Sequence, residues 1–327
     1  MRSIMVAMAL CVPSLTMAGG SNYNVIPGTL GAVAGKVTEW NVPTPKFARD
    51  PAPAPDGSLF ITVMFGDKIA RFDPVSHQFR EWDLPRGAHP HGLVVDRKGL
   101  VYYTGNGNGT IGRLDPASGK VVEYKAPSGG SPHTIVQAPD GTFWFTVQEG
   151  RIGRLDPASG TIQEYKTRGG PYGLALSKDG AVWFCQLSGD RLGRVDPATG
   201  MVTEIDMPRG SGPRRVAATP DGSILWFAFY GSNELVKFDP IAQKVLKKYE
   251  LPSGGGGGAY AVTVDGAGFP WVDEISGNTV VRLDPATGKM QVIRLPTTNT
   301  GIRKMIIAAD GRLWYMGSHT GKIGMIE

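Results

Sequence analysis

Cysteine is nearly absent from this chain, with two thiols, Cys11 and Cys185, in 327 residues. Cys11 lies in an N-terminal apolar segment that reads as removable, so one thiol would remain and no intramolecular disulfide could form. Stability must then come from packing. Cys185 has no histidine neighbour in the sequence and no helix terminus to activate it, so it reads as a small buried hydrophobe. Charge is sparse as well: Asp, Glu, Lys and Arg make up 19% of the chain, and no basic run exceeds a few residues. The net charge of +5 and the pI near 9.1 come from basic residues that recur once per repeat, which argues against a nucleic-acid stripe. Beyond the N-terminal segment no apolar run is long enough to span a membrane as a helix.

What the chain has in excess is turn chemistry. Its 46 Gly and 25 Pro accompany a 41% hydrophobic content, enough for a core built from short strands and too punctuated for helices. Residues 1–18 read as a secretory signal. Arg2 gives a basic start, Ile4 to Leu15 an apolar run, and Thr16-Met17-Ala18 a small-residue cleavage site before Gly19. Leu10 stands where a lipoprotein signal needs a small residue, so Cys11 is not read as a lipid anchor. The expected product is a periplasmic or secreted monomer of residues 19–327.

That remainder is repetitive. A unit of Asp-Gly-x-x-Trp-Phe, a short loop, Ile-Gly-Arg-Leu-Asp-Pro-Ala-Ser/Thr-Gly and Val-x-Glu-Tyr-x-x-Pro recurs seven times, anchored on Gly57, Gly99, Gly141, Gly180, Gly222, Gly268 and Gly311. A period of about 42 residues is the size of a propeller blade. Each unit offers apolar runs of strand length between Asp-Gly and Asp-Pro turns, so four antiparallel strands per unit are expected. In the third unit these fall near 134–137, 142–147, 153–156 and 161–165. The seventh unit stops at Glu327 without an outer strand. The segment Gly35-Lys36-Val37-Thr38-Glu39-Trp40 matches 119–124 of another unit, so the N-terminal strand is expected to close the ring and remove an open edge. The fold class is all-β: a seven-bladed β-propeller, and a single domain.

Eight residues before each anchoring glycine the innermost strand begins at the channel mouth. The residues there are Arg49, His91, His133, Tyr172, Arg214, Tyr260 and Arg303, with no aliphatic among them. Convergent polar side chains in a concave site point to a ligand or a reaction. The competing explanation is that mouth positions are partly solvated in any propeller. His91 and His133, on adjacent blades, are the proton-transfer candidates. Arg49, Arg214, Tyr260 and Arg303 are the substrate-binding candidates, with Arg215 and Lys304 adding positive field, so an anionic or carbonyl-rich small molecule or peptide is expected. Near the mouth, Gln148-Glu149 and Asp273-Glu274 are the groups placed to help hold a divalent cation. Serine-hydrolase, zincin and phosphate-loop motifs are all missing.

The segments Gly-Pro-Tyr-Gly-Leu (170–174), Pro-His-Gly-Leu (90–93), Trp-Phe-Thr (144–146) and Ile-Gly-Arg-Leu (111–114 and 152–155) resemble the virginiamycin B (streptogramin B) lyases across all seven units. The resemblance implies a propeller that linearises a cyclic depsipeptide antibiotic by elimination, with magnesium near the channel mouth. By that match His133 would be the general base, His91 a substrate contact and Tyr172 an orienting hydroxyl, with Ser131-Pro132-His133 in place of a Glu-Pro-His. The two magnesium carboxylates of the family would fall at Ser131 and Gln148, neither acidic, with Glu149 one place along. Export fits poorly with detoxifying a drug that acts inside the cell, so a cyclic peptide, a uronate or another secreted polymer fragment stands beside an antibiotic as substrate. The alternative from another class is a non-catalytic propeller that uses the same ring to hold an anionic ligand or a protein partner. A calcium-dependent lactonase ranks behind both, because the ring contains no carboxylate.

Overall fold

The computed structural model describes residues 35–327; the expected signal, 1–18, lies outside them. Among the described residues are seven sheets of four antiparallel strands, and no helix is long and apolar enough to cross a membrane. Six blades are sequential meanders. Blade 1 starts at Ala48–Pro53, blade 2 at Pro90–Val95, blade 3 at Pro132–Gln137, blade 4 at Leu174–Leu176, blade 5 at Pro213–Ala218 and blade 6 at Ala259–Val264. In blade 3 the strands are Pro132–Gln137, Phe143–Val147, Arg151–Leu155 and Ile162–Lys166, each within about two residues of the expected bounds.

Blade 7 is assembled from both ends of the described chain. Ile302–Ile307, Leu313–Gly317 and Lys322–Ile326 supply three strands and Val37–Asn41 the fourth, paired antiparallel from Val37↔Ile326 to Asn41↔Lys322. Side chains reinforce the seam. Trp40 stacks on Trp314 at 5.6 Å between ring centroids, and Glu39 accepts the Tyr315 hydroxyl at 2.7 Å. The ring closes as the repeat register requires, with no blade edge left unpaired at the seam.

The repeat residues explain the packing. Trp144, Trp183, Trp226, Trp271 and Trp314 on successive second strands are fully buried between blades. The glycine of Ile-Gly-Arg-Leu has a steric role: a Cβ on Gly153 would sit 2.2 Å from Phe145 Cζ, its cross-strand partner. In the Asp-Pro-Ala-Ser-Gly hairpin, Asp156 accepts the Ala158 N–H and the Ser159 hydroxyl, both at 2.9 Å, the usual Asp turn chemistry. Cys185 is buried and free, and burial pushes its thiol well above the ordinary range, so it is inert as the sequence indicated.

Candidate functional site at the channel mouth

The inner strands do not run straight into the channel. In six of the seven the pairing register slips just after the strand begins, between Ala48/Pro51, Pro90/Leu93, Pro132/Ile135, Pro213/Arg215, Ala259/Val262 and Ile302/Met305. A bulge re-aims the side chain it carries, and here it carries the ring residue. Glycine beside the ring residue permits close approach between blades. A Cβ on Gly92 would lie 2.7 Å from the His133 carbonyl oxygen, and one on Gly173 equally close to that of Arg214. This is the physical content of the Pro-His-Gly and Pro-Tyr-Gly motifs.

Threonines on the second strands lock the ring. Thr62 accepts the Asp50 N–H and donates to the His91 carbonyl of the next blade. Thr104 does the same between Gly92 and His133, and Thr146 between Thr134 and Tyr172. Asp273 holds the corresponding position in blade 6 and accepts the Ala261 N–H. Burial raises its carboxyl well above the usual range. A neutral carboxylic acid offers both a donor and an acceptor, as the threonine hydroxyl does.

The ring side chains meet in blade order. His91 and His133 lie 3.6 Å apart between ring centroids, and His133 and Tyr172 lie 4.1 Å apart. The Tyr172 and Tyr260 hydroxyls share a short hydrogen bond. Arg303 Nη1 donates to the Tyr260 hydroxyl at 3.2 Å, and Arg214 lies 3.9 Å over the Tyr260 ring. Arg49 Nη1 reaches Met64 Sδ at 4.0 Å and its Nε reaches Asp50 at 3.5 Å; its buried Nη2 has no hydrogen-bond partner among the described residues. His91 and His133 were expected, as proton-transfer candidates on adjacent blades, to lie within reach of one substrate. They are only 2% exposed and form the floor of the mouth, while Tyr172, Arg214 and Arg303 are the half-buried members.

Beneath the ring lies a second layer on the following residues. Arg215 reaches across the channel, donating to Thr134 Oγ1 at 3.0 Å and lying 3.8 Å from Asp50 Oδ2, while Lys304 Nζ donates to the Leu93 carbonyl at 3.2 Å. Thr134 Oγ1 is also 3.0 Å from His133 Nδ1. Asp50 and Thr134 escaped the sequence reading, although the position next to each ring residue would have found them.

The field is strongly positive. Burial, then Arg49, His133 and Arg215, hold His91 well below the ordinary imidazole range. Burial, then Arg215, Arg49 and Arg214, do the same to His133. Both rings are therefore neutral bases at physiological pH. Burial opposes ionisation of Tyr260, but Arg49, Arg215, Arg214 and Arg303 outweigh it and bring the phenol down to about 7. For Lys304, burial outweighs the nearby Asp50 and Arg215 adds to it, lowering the amine to about 7.

The residues proposed for a divalent cation do not converge. Glu149 is turned onto the Ser131 N–H at 2.7 Å, and Gln148 Oε1 accepts from Asn106 at 3.3 Å. Glu274 is spent on Asn233, Ser253 and Thr279. Among the described residues no three His, Cys, Asp or Glu side chains are grouped to hold a metal, and the side-chain oxygens of Gln148, Glu149 and Glu274 are engaged by protein donors.

Fold and site together define a closed seven-bladed propeller whose polar side chains converge at one end of the channel. The family model for the virginiamycin B lyases matches residues 28–168 and 132–327. The chain belongs to that family. Among solved structures, a streptogramin B lyase is 26% identical, with a TM-score of 0.82, covering 89% of this chain and 97% of its own. Virginiamycin B lyase from Staphylococcus aureus is 24% identical, with a TM-score of 0.81 and coverage of 89% and 98%. A catalytically inactive histidine-to-alanine variant of the Staphylococcus aureus enzyme with quinupristin is 25% identical, with a TM-score of 0.80 and coverage of 89% and 98%. No curated protein matches the chain.

Proposed function

We propose that the chain is an exported lyase that opens a cyclic depsipeptide or related carbonyl-rich substrate by elimination at the channel mouth. The observation that carries this reading is the His91–His133 pair, 3.6 Å apart between ring centroids and next to Tyr172, at positions whose equivalents in other blades are Arg49, Arg214 and Arg303. In the proposed step Arg49, Arg214 and Arg303 hold the substrate oxygen conjugated to the reacting carbon and stabilise the negative charge that develops on it. His133 takes the adjacent carbon-bound proton, the electron pair of that C–H bond becomes the new double bond, and the bond to the leaving oxygen breaks. Tyr172 supplies the proton that the leaving oxygen needs.

For this role His133 keeps its own proton on Nδ1, donated to Thr134 Oγ1, and offers the Nε2 lone pair. That a single histidine replacement inactivates the Staphylococcus aureus relative supports a histidine base. The arginines take the charge in this scheme, and no step uses a metal. The test is a mass-resolved screen of cyclic and linear esters, lactones and uronates. Elimination opens a ring with unchanged mass, whereas hydrolysis adds one water.

A second reading is favoured by the 2% exposure of His91 and His133. In it the propeller holds an anionic ligand at the arginines without turnover. Ligand-induced stabilisation with no product in the same screen would select it.

A further inference from the structure

Two residues before each ring residue the seven blades carry Phe47, His89, Ser131, Gly170, Gly212, Gly258 and Gly301. In five blades the backbone there is left-handed: φ is 55°, 65° and 67° at Gly212, Gly258 and Gly301, and 56° and 42° at Phe47 and His89. Glycine adopts this conformation at no steric cost, whereas a side chain pays for it. Among the described residues the other non-glycine residues with positive φ are Asp, Asn, His and Gln, so Phe47 is the one bulky apolar exception. The molecule itself thus supplies the comparison. Where three blades use glycine, blades 1 and 2 place rings on the rim of the mouth.

Those rings form a continuous arc. His319 and Phe47 stack at 6.4 Å, Phe47 and Phe65 stack at 5.2 Å, and Phe65 meets His89 edge-on at 5.9 Å. His319 occupies the place of the missing side chain in blade 7, since a Cβ on Gly301 would lie 2.5 Å from its ring. Its orientation is fixed. Asn299 Oδ1 lies 3.0 Å from its Nδ1 and Arg303 Nη2 lies 3.2 Å from its Nε2. Phe65 is 58% exposed, a large apolar side chain standing in water. The guanidinium carbons of Arg49 and Arg303 stand 5.4 and 5.3 Å from the Phe47 ring centroid. Arg49 is 5% exposed and its Nη2 is buried with no hydrogen-bond partner among the described residues.

We propose that Phe47, Phe65, His89 and His319 form a rim subsite for a flat apolar ring on the same ligand whose anionic group Arg49 and Arg303 hold. Apolar arc and cations share one wall, so the ligand chemistry that fits is an aromatic ring a few bonds from a carboxylate. A ring gains by stacking on exposed aromatics, and a carboxylate supplies acceptors for the guanidinium N–H groups. The inference rests on the anion-binding part of the proposed function and not on turnover.

The experiment measures binding of three probes, phenylacetate, acetate and benzyl alcohol, to the mature protein by NMR titration. Phenylacetate should bind at least about tenfold tighter than acetate, and benzyl alcohol more weakly than phenylacetate. Phe47→Gly and Phe65→Ser should each abolish the preference for phenylacetate, and Phe65→Ser, whose ring touches neither guanidinium, should leave acetate binding unchanged. Phe47→Gly installs the residue that other blades carry at this backbone, and Phe65→Ser alters an exposed turn, so each variant's melting curve separates lost binding from lost fold. Equal affinity for phenylacetate and acetate in the wild type, or a preference that survives in a folded Phe65→Ser variant, overturns the subsite. Failure of both anions to bind overturns the anion reading and the subsite together.

Discussion

His91 and His133 face each other with ring centroids 3.6 Å apart and planes tilted by 40°. Among the described residues neither is within salt-bridge range of a carboxylate, and guanidiniums act on both. A proton on either ring would add charge to an already cationic, water-poor site.

Stability should therefore fall in mild acid. Both folded-state pKa values lie well below 6.5, so the unfolded chain binds more protons than the native one as pH drops through about 6.5. This contribution is fully present above that pH and is lost progressively below it. Chemical denaturation at pH 7.5 and 5.5 checks the claim. Replacing both histidines with glutamine should flatten that pH slope.

Tyr260 should ionise near neutrality. Phenolate absorbance of the folded protein should show one group with a midpoint at about 7, absent in Tyr260→Phe. For an acid with a lowered native pKa, the linked stability grows as pH rises from about 7 towards the unfolded value of about 10. A titration with no phenolate below pH 9 would place the four guanidiniums differently around this ring.

Ring closure predicts a defined cost at the seam. Trp40 is half-buried against Trp314 and Phe72, so Trp40→Ala should lower stability by about 2 kcal/mol. Deleting residues up to 41 should do more, leaving Lys322–Ile326 as an unpaired edge and promoting self-association. Melting curves and light scattering of the two variants test this.

The repeat glycines and aromatics made the architecture legible, because each unit needs the same turns and the same steric gaps, as Gly153 beneath Phe145 shows. The ring was legible for a related reason: the offset from the anchoring glycine is constant, so Arg49, His91 and Tyr260 could be placed at one mouth. What the sequence did not carry was depth. Nothing local distinguishes a buried His133 from an open one, since the covering comes from blades far apart in the chain. Gln148 and Glu149 read as cation ligands because they follow Trp144 towards the mouth; in the fold Asn106 and Ser131 take their oxygens. The rim rings were missed because Phe47, Phe65 and His319 belong to different loops, and the backbone sign at Phe47 cannot be read from its neighbours.

The central claim is that His133 moves a proton at this mouth. Its most direct test is turnover by the wild type and by His133→Ala on whichever substrate the mass-resolved screen identifies, followed across pH. The account predicts a product of unchanged mass from the wild type, a loss of about 10² to 10⁴ in kcat for His133→Ala with ligand affinity and fold retained, and a smaller, binding-dominated effect for His91→Ala and Arg214→Ala. Unaltered kcat in a folded His133→Ala variant, or a product heavier by one water, would contradict it.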